Sequence, residues 1–171
     1  TAVHIGLEYS ERCNSLCVAG CGYGAEKKYE KYFKGVSLEV AKNFEEKGAR
    51  EFAKIYSLGA SRVQFQNKNP RGWLEFAQRL AEHSSQGSAF TMRGVQARRP
   101  SLYDFEEELR SMSVPTLIVN GDEDDHCLQV GLYLKKVIPA SGLLVLPKTG
   151  HTLNLEVPEV FNRALSEFLT L

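Results

Sequence analysis

The sequence predicts an α/β protein: a parallel sheet flanked by helices, with a helical block set into it. Three observations predict this. The runs "SLCVAG", "VPTLIVNG" and "GLLVLP" are apolar without strict alternation, as expected for strands covered on both faces. From Val114 onward, apolar runs and helical patterns follow in the order strand, helix, strand, helix. Between them, residues 25–112 are dense in charge, carry helical periodicity and show no convincing strand. The expected division is therefore a sheet unit of residues 1–24 and 113–171, interrupted by a helical insertion of residues 25–112.

The elements follow from local chemistry. Residues Ala2 to Arg12 place Val3 and Leu7 at helical spacing. "CNSLCVAGCGYG" then reads as a buried strand that ends in glycines and a loop. In the insertion, Leu38, Ala41 and Phe44 form one helical stripe and Phe52, Ala53 and Tyr56 another, with Gly48 between. Pro70 suits a first helical turn, and the following helix is expected to bury Trp73, Phe76, Ala77 and Leu80 before stopping at Ser84–Gly87. "VPTLIVNGDEDD" is a strand that breaks at Asn120–Gly121 and runs into acids. "CLQVGLYLKKVIP" is a helix through Leu128, Leu132 and Val137. "GLLVLPKTGH" is another strand and turn. The last helix starts at Pro158, with Val160, Phe161, Ala164, Leu165 and Phe168 on one face.

Composition narrows the function. The 171 residues fit one domain, and 43% are hydrophobic, enough for a core. Twenty-one basic residues balance 21 acidic ones, which removes the electrostatic motive for binding nucleic acid or an anionic membrane. No apolar stretch approaches the ~20 residues that span a bilayer. No basic region followed by an apolar one marks a signal peptide, so a cytoplasmic location is expected. Cys13, Cys17 and Cys21 recur every four residues, but no second pair follows at zinc-ligand spacing. They are expected to pack as small apolar groups on one face of the first strand. No cofactor or metal is expected.

The two C-terminal strands end in turns that carry titratable groups. One turn offers Asp122, Glu123, Asp124 and Asp125; the other offers His151. Ligand sites on parallel sheets lie beyond the carboxyl ends of the strands. A carboxylate bonded to one imidazole nitrogen fixes the tautomer and leaves the other nitrogen as a base, which can activate a hydroxyl nucleophile.

"PTLIVNGDEDD" and "LPKTGHTLNLEVPEVF" resemble the closing segments of the α/β-hydrolase fold. In that family the acid follows a strand in a G-x-x-D turn and the histidine follows the last strand in a G-H turn. The resemblance makes Asp124 of Gly121-x-x-Asp124 the catalytic acid and His151 of Gly150-His151 the base. Asp122 and Asp125 compete for the acid, since a turn shifted slightly would present either. The helical insertion resembles the cap that many members carry. No G-x-S-x-G nucleophile motif occurs; the nearest stretch, His83 to Gly87, lacks the first glycine and follows a helix, which disfavours Ser85. "TAVHIGLEYSERCNSLCVAG" is similar to the stretch just after the nucleophile. The resemblance thus implies the C-terminal portion of a longer serine hydrolase, inactive alone, with its nucleophile elbow and oxyanion loop upstream.

The activity implied is that of an esterase or lactonase on a small carboxylic ester. Epoxide hydrolases and haloalkane dehalogenases, with an aspartate nucleophile, are one alternative, and a non-catalytic ligand-binding member is another. The expected partner is a small ester-like substrate, with no nucleic acid and no membrane. The first strand's outer edge is expected to pair with a missing N-terminal half or with another copy. His126 is expected at the surface, and His4 and His83 in structural or exposed positions. Arg93, Arg98 and Arg99 are expected in a solvated loop. Trp73, Phe76, Phe90 and Tyr103 could line a pocket, although helical spacing favours core positions for Trp73 and Phe76.

Overall fold

The computed structural model describes residues 1–170. It divides into two compact units: Thr1–Tyr23 with the chain from Leu102 onward, and Gly24–Ser101. The second divide lies before Leu102, so residues 102–112 pack with the sheet. Their burial explains this: Leu102, Leu109 and Met112 are buried, and Tyr103 stacks on Tyr133 with ring centroids 3.9 Å apart.

The sheet unit contains helix α1 (Ala2–Glu8) and strand β1 (Leu16–Ala19). After the helical unit come α6 (Glu106–Ser111), β2 (Thr116–Gly121), α7 (Asp125–Val137), β3 (Ser141–Leu146), α8 (Leu153–Glu156) and α9 (Pro158–Leu169). The three strands are parallel in the order β1-β2-β3. Every residue of β2 is buried, as its unbroken apolar run requires. The flanking strands are only partly covered; Ala19 and Val145 are exposed. One face of the sheet, Leu117, Val119 and Leu146, packs with Leu153 against Phe161, Leu165 and Phe168 of α9.

Three details of the sheet unit differ from expectation. The buried stripe of α7 is Cys127, Val130, Gly131, Leu134 and Val137, with Leu128 half-buried and Leu132 turned to solvent. Val160 of α9 is exposed, because Phe161, Ala164, Leu165 and Phe168 already fill the narrow half-buried stripe. Cys13 lies before the four-residue β1, at the end of the turn Ser10–Arg12, and Cys21 lies past Gly20, where the strand has ended; only Cys17 sits in it.

The helical unit holds α2 (Lys27–Tyr56), α3 (Val63–Lys68), α4 (Pro70–Ala81) and α5 (Ser85–Thr91). Gly48 breaks α2 at φ 73°, ψ 162°, a conformation that favours glycine. The break frees the Ala49 amide, which donates to Ser85 Oγ at 2.8 Å. Ala41, Phe44, Ala49, Phe52 and Ala89 form the core of this unit. Leu38, expected on the first stripe, is exposed. Helix α4 starts at Pro70, capped by Asn69, but no residue of it is fully buried. Trp73, Phe76, Ala77 and Leu80 are half-buried instead, because a single helix face rests on the unit's surface. That helix ends at Ala81, and Ser84 caps the next one by accepting from the Gly87 amide. The Ser101 hydroxyl donates to the Ala25 carbonyl, tying together the two ends of the unit.

Candidate active site

The turns after β2 and β3 lock together at the carboxyl edge of the sheet. Gly121 makes this possible: a Cβ there would overlap the carbonyl oxygens of Thr149 and Gly150. The Glu123 amide donates to the Thr149 carbonyl at 3.0 Å. In return the Thr149 amide donates to Asp122 Oδ1 at 3.1 Å. Asp122, one of the three competing acids, thus holds backbone rather than imidazole. Asp125 is exposed at the start of α7.

Asp124 is the acid that meets the histidine. Its Oδ2 lies 2.7 Å from His151 Nδ1, and its side chain is 1% exposed against 26% for His151. The side chains of Tyr23 and Cys127 also favour the ionised Asp124 carboxylate. Burial alone would raise its pKa, but the hydrogen bond and charge of His151, helped by Cys127 and Tyr23, outweigh it and hold the pKa below its ordinary value. Asp124 is therefore an anion at neutral pH, and the short contact makes Nδ1 the donor. In the neutral imidazole this leaves Nε2 with its lone pair, which is the tautomer a general base needs.

The surrounding residues shape this pair. Gly20, just beyond β1, leaves room for the imidazole; a Cβ there would sit 3.3 Å from His151 Nδ1. The Tyr23 ring meets the imidazole edge-on, with centroids 4.9 Å apart. Cys127 Sγ lies 3.3 Å from the Gly20 carbonyl oxygen and 3.8 Å from His151 Nδ1. Burial, with the nearby Asp124 charge, pushes its thiol pKa up strongly, so it is a neutral thiol. Asp124, Cys127 and His151 offer ligand atoms within 4.8 Å of one another, a donor set that a divalent transition ion can accept. The proton shared by Asp124 and His151 accounts for their 2.7 Å contact, and a metal would have to displace it.

Glu156 was not anticipated. This buried carboxylate accepts from the Gly150 amide at 2.8 Å through Oε2. Its Oε1 accepts from the Thr152 amide at 3.1 Å and the Thr152 hydroxyl at 2.9 Å. The signal for it was present: a Thr four residues before a Glu at a helix start resembles a capping box lengthened by one residue. Cys127 could have been found from its place three residues after Asp124, on the same helix face. Tyr23 carries no local signal.

The other candidates lie in packing or solvent. His4 packs edge-on against Phe105, His126 is half-buried near Tyr23, and His83 is exposed. Arg93 pairs with Glu45 on the surface, and Arg98 and Arg99 are exposed. Trp73 donates to the Ser57 carbonyl at 2.8 Å, and Phe76 packs on Phe65. Phe90 is exposed, and Tyr103 is engaged with Tyr133.

This parallel sheet, its helices and the two interlocked turns define a class: the chain has the α/β-hydrolase fold. It is similar over 99% of its length to MenH from S. aureus, with a TM-score of 0.86 and 20% identity. It is similar over its whole length to the enol-lactonase from Burkholderia xenovorans LB400, with a TM-score of 0.80 and 17% identity. A thermophilic esterase from Thermogutta terrifontis matches 95% of the chain, with a TM-score of 0.77 and 24% identity. The chain spans 63%, 62% and 58% of those three structures respectively, consistent with a C-terminal portion of such a fold. In sequence, 72 residues are 36% identical to a Bacillus subtilis (strain 168) protein provisionally named 2-succinyl-6-hydroxy-2,4-cyclohexadiene-1-carboxylate synthase. That match covers 42% of this chain and 25% of the relative. No family model matches the sequence. No helix among the described residues is long and apolar enough to cross a membrane.

Proposed function

We propose that Asp124 and His151 are the acid and base of an esterase- or lactonase-type hydrolase acting on a small carboxylic ester. The serine nucleophile would come from outside these 171 residues. The observation that carries this reading is the 2.7 Å bond from His151 Nδ1 to a buried, anionic Asp124. Its fold neighbours include an esterase and an enol-lactonase, which supports the reaction class.

The geometry suits the cycle. The serine hydroxyl attacks the ester carbonyl as His151 Nε2 takes its proton. The imidazolium then carries two N–H bonds, one of them to Asp124, whose charge stabilises it. His151 gives the proton to the departing alcohol, leaving an acyl-enzyme. Water adds by the same route in reverse and releases the acid. Asp124 stays ionised throughout and holds the ring in place.

The test pairs two proteins: this chain, and the chain joined to the residues upstream of it in its gene. The longer protein should hydrolyse p-nitrophenyl butyrate and react covalently with a fluorophosphonate probe. His151→Ala should lower its turnover by ~10⁴-fold or more, the scale for losing a triad member. The chain alone should show neither property. Hydrolysis by the longer protein without fluorophosphonate labelling would replace the serine with another nucleophile. Ligand binding with no turnover at all would make the site non-catalytic.

A further inference from the structure

We propose that Glu156 is the positioning residue of the acid–base pair, setting the His151 tautomer through the backbone on either side of it. The proposal rests on reading Asp124 and His151 as that pair. It deepens that reading, because the Glu156 carboxylate bonds the residues on either side of His151.

The contacts converge on one turn. All three hydrogen bonds shown for the Glu156 carboxylate come from Gly150 and Thr152, the residues just before and after His151. One oxygen serves each side, so the carboxylate bridges the turn and fixes the His151 Cα between its two ends. The carboxylate is itself held firmly. Short α8 runs from Leu153 to Glu156, and Val157 ends it with non-helical backbone, φ −140° and ψ 59°, before Pro158. Thr152 caps α8, its carbonyl accepting from the amides of Leu155 and Glu156. Glu156 is 5% exposed, so little water can replace the carboxylate.

The need for such a bridge follows from distance. His151 must reach across from the β3 turn to an acid on the β2 turn. At 2.7 Å the bond to Asp124 is strong; a drift of about 1 Å would carry it beyond hydrogen-bond range. On the β3 side, Asp122 already holds the Thr149 amide. Without Glu156, the two residues that flank the imidazole would lose their anchor. The ring would then be free to leave Asp124 and adopt the other tautomer, with the proton on Nε2.

Glu156→Gln tests this with little change of shape. An amide presents only one acceptor oxygen and turns an NH₂ group toward the other donors, so one side of His151 is released. The readout is the neutral tautomer of His151 in the ¹⁵N-labelled chain, from its two ring nitrogen shifts, with His151→Gln as the assignment control. Wild type should carry the proton on Nδ1. In Glu156→Gln the ratio of the Nδ1–H to the Nε2–H form should fall by roughly fivefold or more, with the strand amides unchanged.

An unchanged ratio in folded Glu156→Gln, with a fallen ratio in Asp124→Asn, would overturn the role of Glu156 and leave the acid–base pair intact. An unchanged ratio in Asp124→Asn as well would remove the pair itself. Should Glu156→Gln fail to fold, Thr152→Ala decides. It deletes one of the three bonds and should lower the ratio by about twofold. No change there would assign Glu156 a purely structural task and overturn the proposal.

Discussion

Gly121 and Thr149 meet so closely that no side chain fits between them: a Cβ on Gly121 would overlap the Thr149 carbonyl oxygen. The contact joins the turn that carries Asp124 to the turn that carries His151. Gly121→Ala must therefore push backbone against backbone, with no flexible side chain to yield. We expect a loss of about 3 kcal/mol in stability, read from the urea midpoint, at the upper end of ordinary overpacking. An unchanged midpoint would show that the turns separate easily.

Acid should weaken the fold through Asp124. Its folded pKa lies below the ordinary carboxylate value of about 3.9, so in that range the unfolded chain binds more protons than the folded one. The stabilisation is complete above the unfolded pKa and is lost as pH falls through the folded one. Urea midpoints measured from about pH 6 down to about pH 2.5 should fall more steeply for wild type than for Asp124→Asn. Parallel curves would mean that Asp124 is not held ionised by its neighbours.

Ser85 provides a contrast. Its hydroxyl accepts the Ala49 amide at the break in α2 and lies in the helical unit. Ser85→Ala should leave that half-buried amide without its partner and cost roughly 1–2 kcal/mol. The same variant of the longer protein should keep its ester hydrolysis and its fluorophosphonate labelling. Loss of labelling would return Ser85 to consideration as the nucleophile.

The outer edge of β1 is the last case. Among the described strands, β1 pairs only with β2, and such an edge invites pairing with another strand. Sedimentation of the chain alone should show dimers or larger species, and supplying the upstream segment should suppress them. A clean monomer at tens of micromolar would show that the edge is protected.

Several features were legible in the sequence because they depend on near neighbours. β2 shows itself as an unbroken apolar run, and Pro70 and Pro158 both open helices. The kink at Gly48 sits between the two stripes where the periodicity shifts. Helix faces were less legible. The buried stripe of α7 runs through Cys127 and Gly131 rather than Leu132, because the helix lies close on β2 at Gly131, where a Cβ would overlap the Asn120 side chain. Periodicity finds the stripe but not the small residue that sets how near two elements come.

The sequence by itself determined that an acidic turn and a histidine turn would close two parallel strands, since hydrophobic runs and turn residues act over a few positions. Only the tertiary structure decided which acid serves. Asp122, Asp124 and Asp125 are nearly equivalent in local chemistry, but Gly121 admits the neighbouring turn, whose Thr149 amide takes Asp122, and α7 turns Asp125 outward. What remains facing His151 is Asp124, with Tyr23, Cys127 and Glu156 arranged around the pair. Those partners lie up to about 130 residues apart in the chain, and no local preference can encode a meeting that depends on how the strands pair.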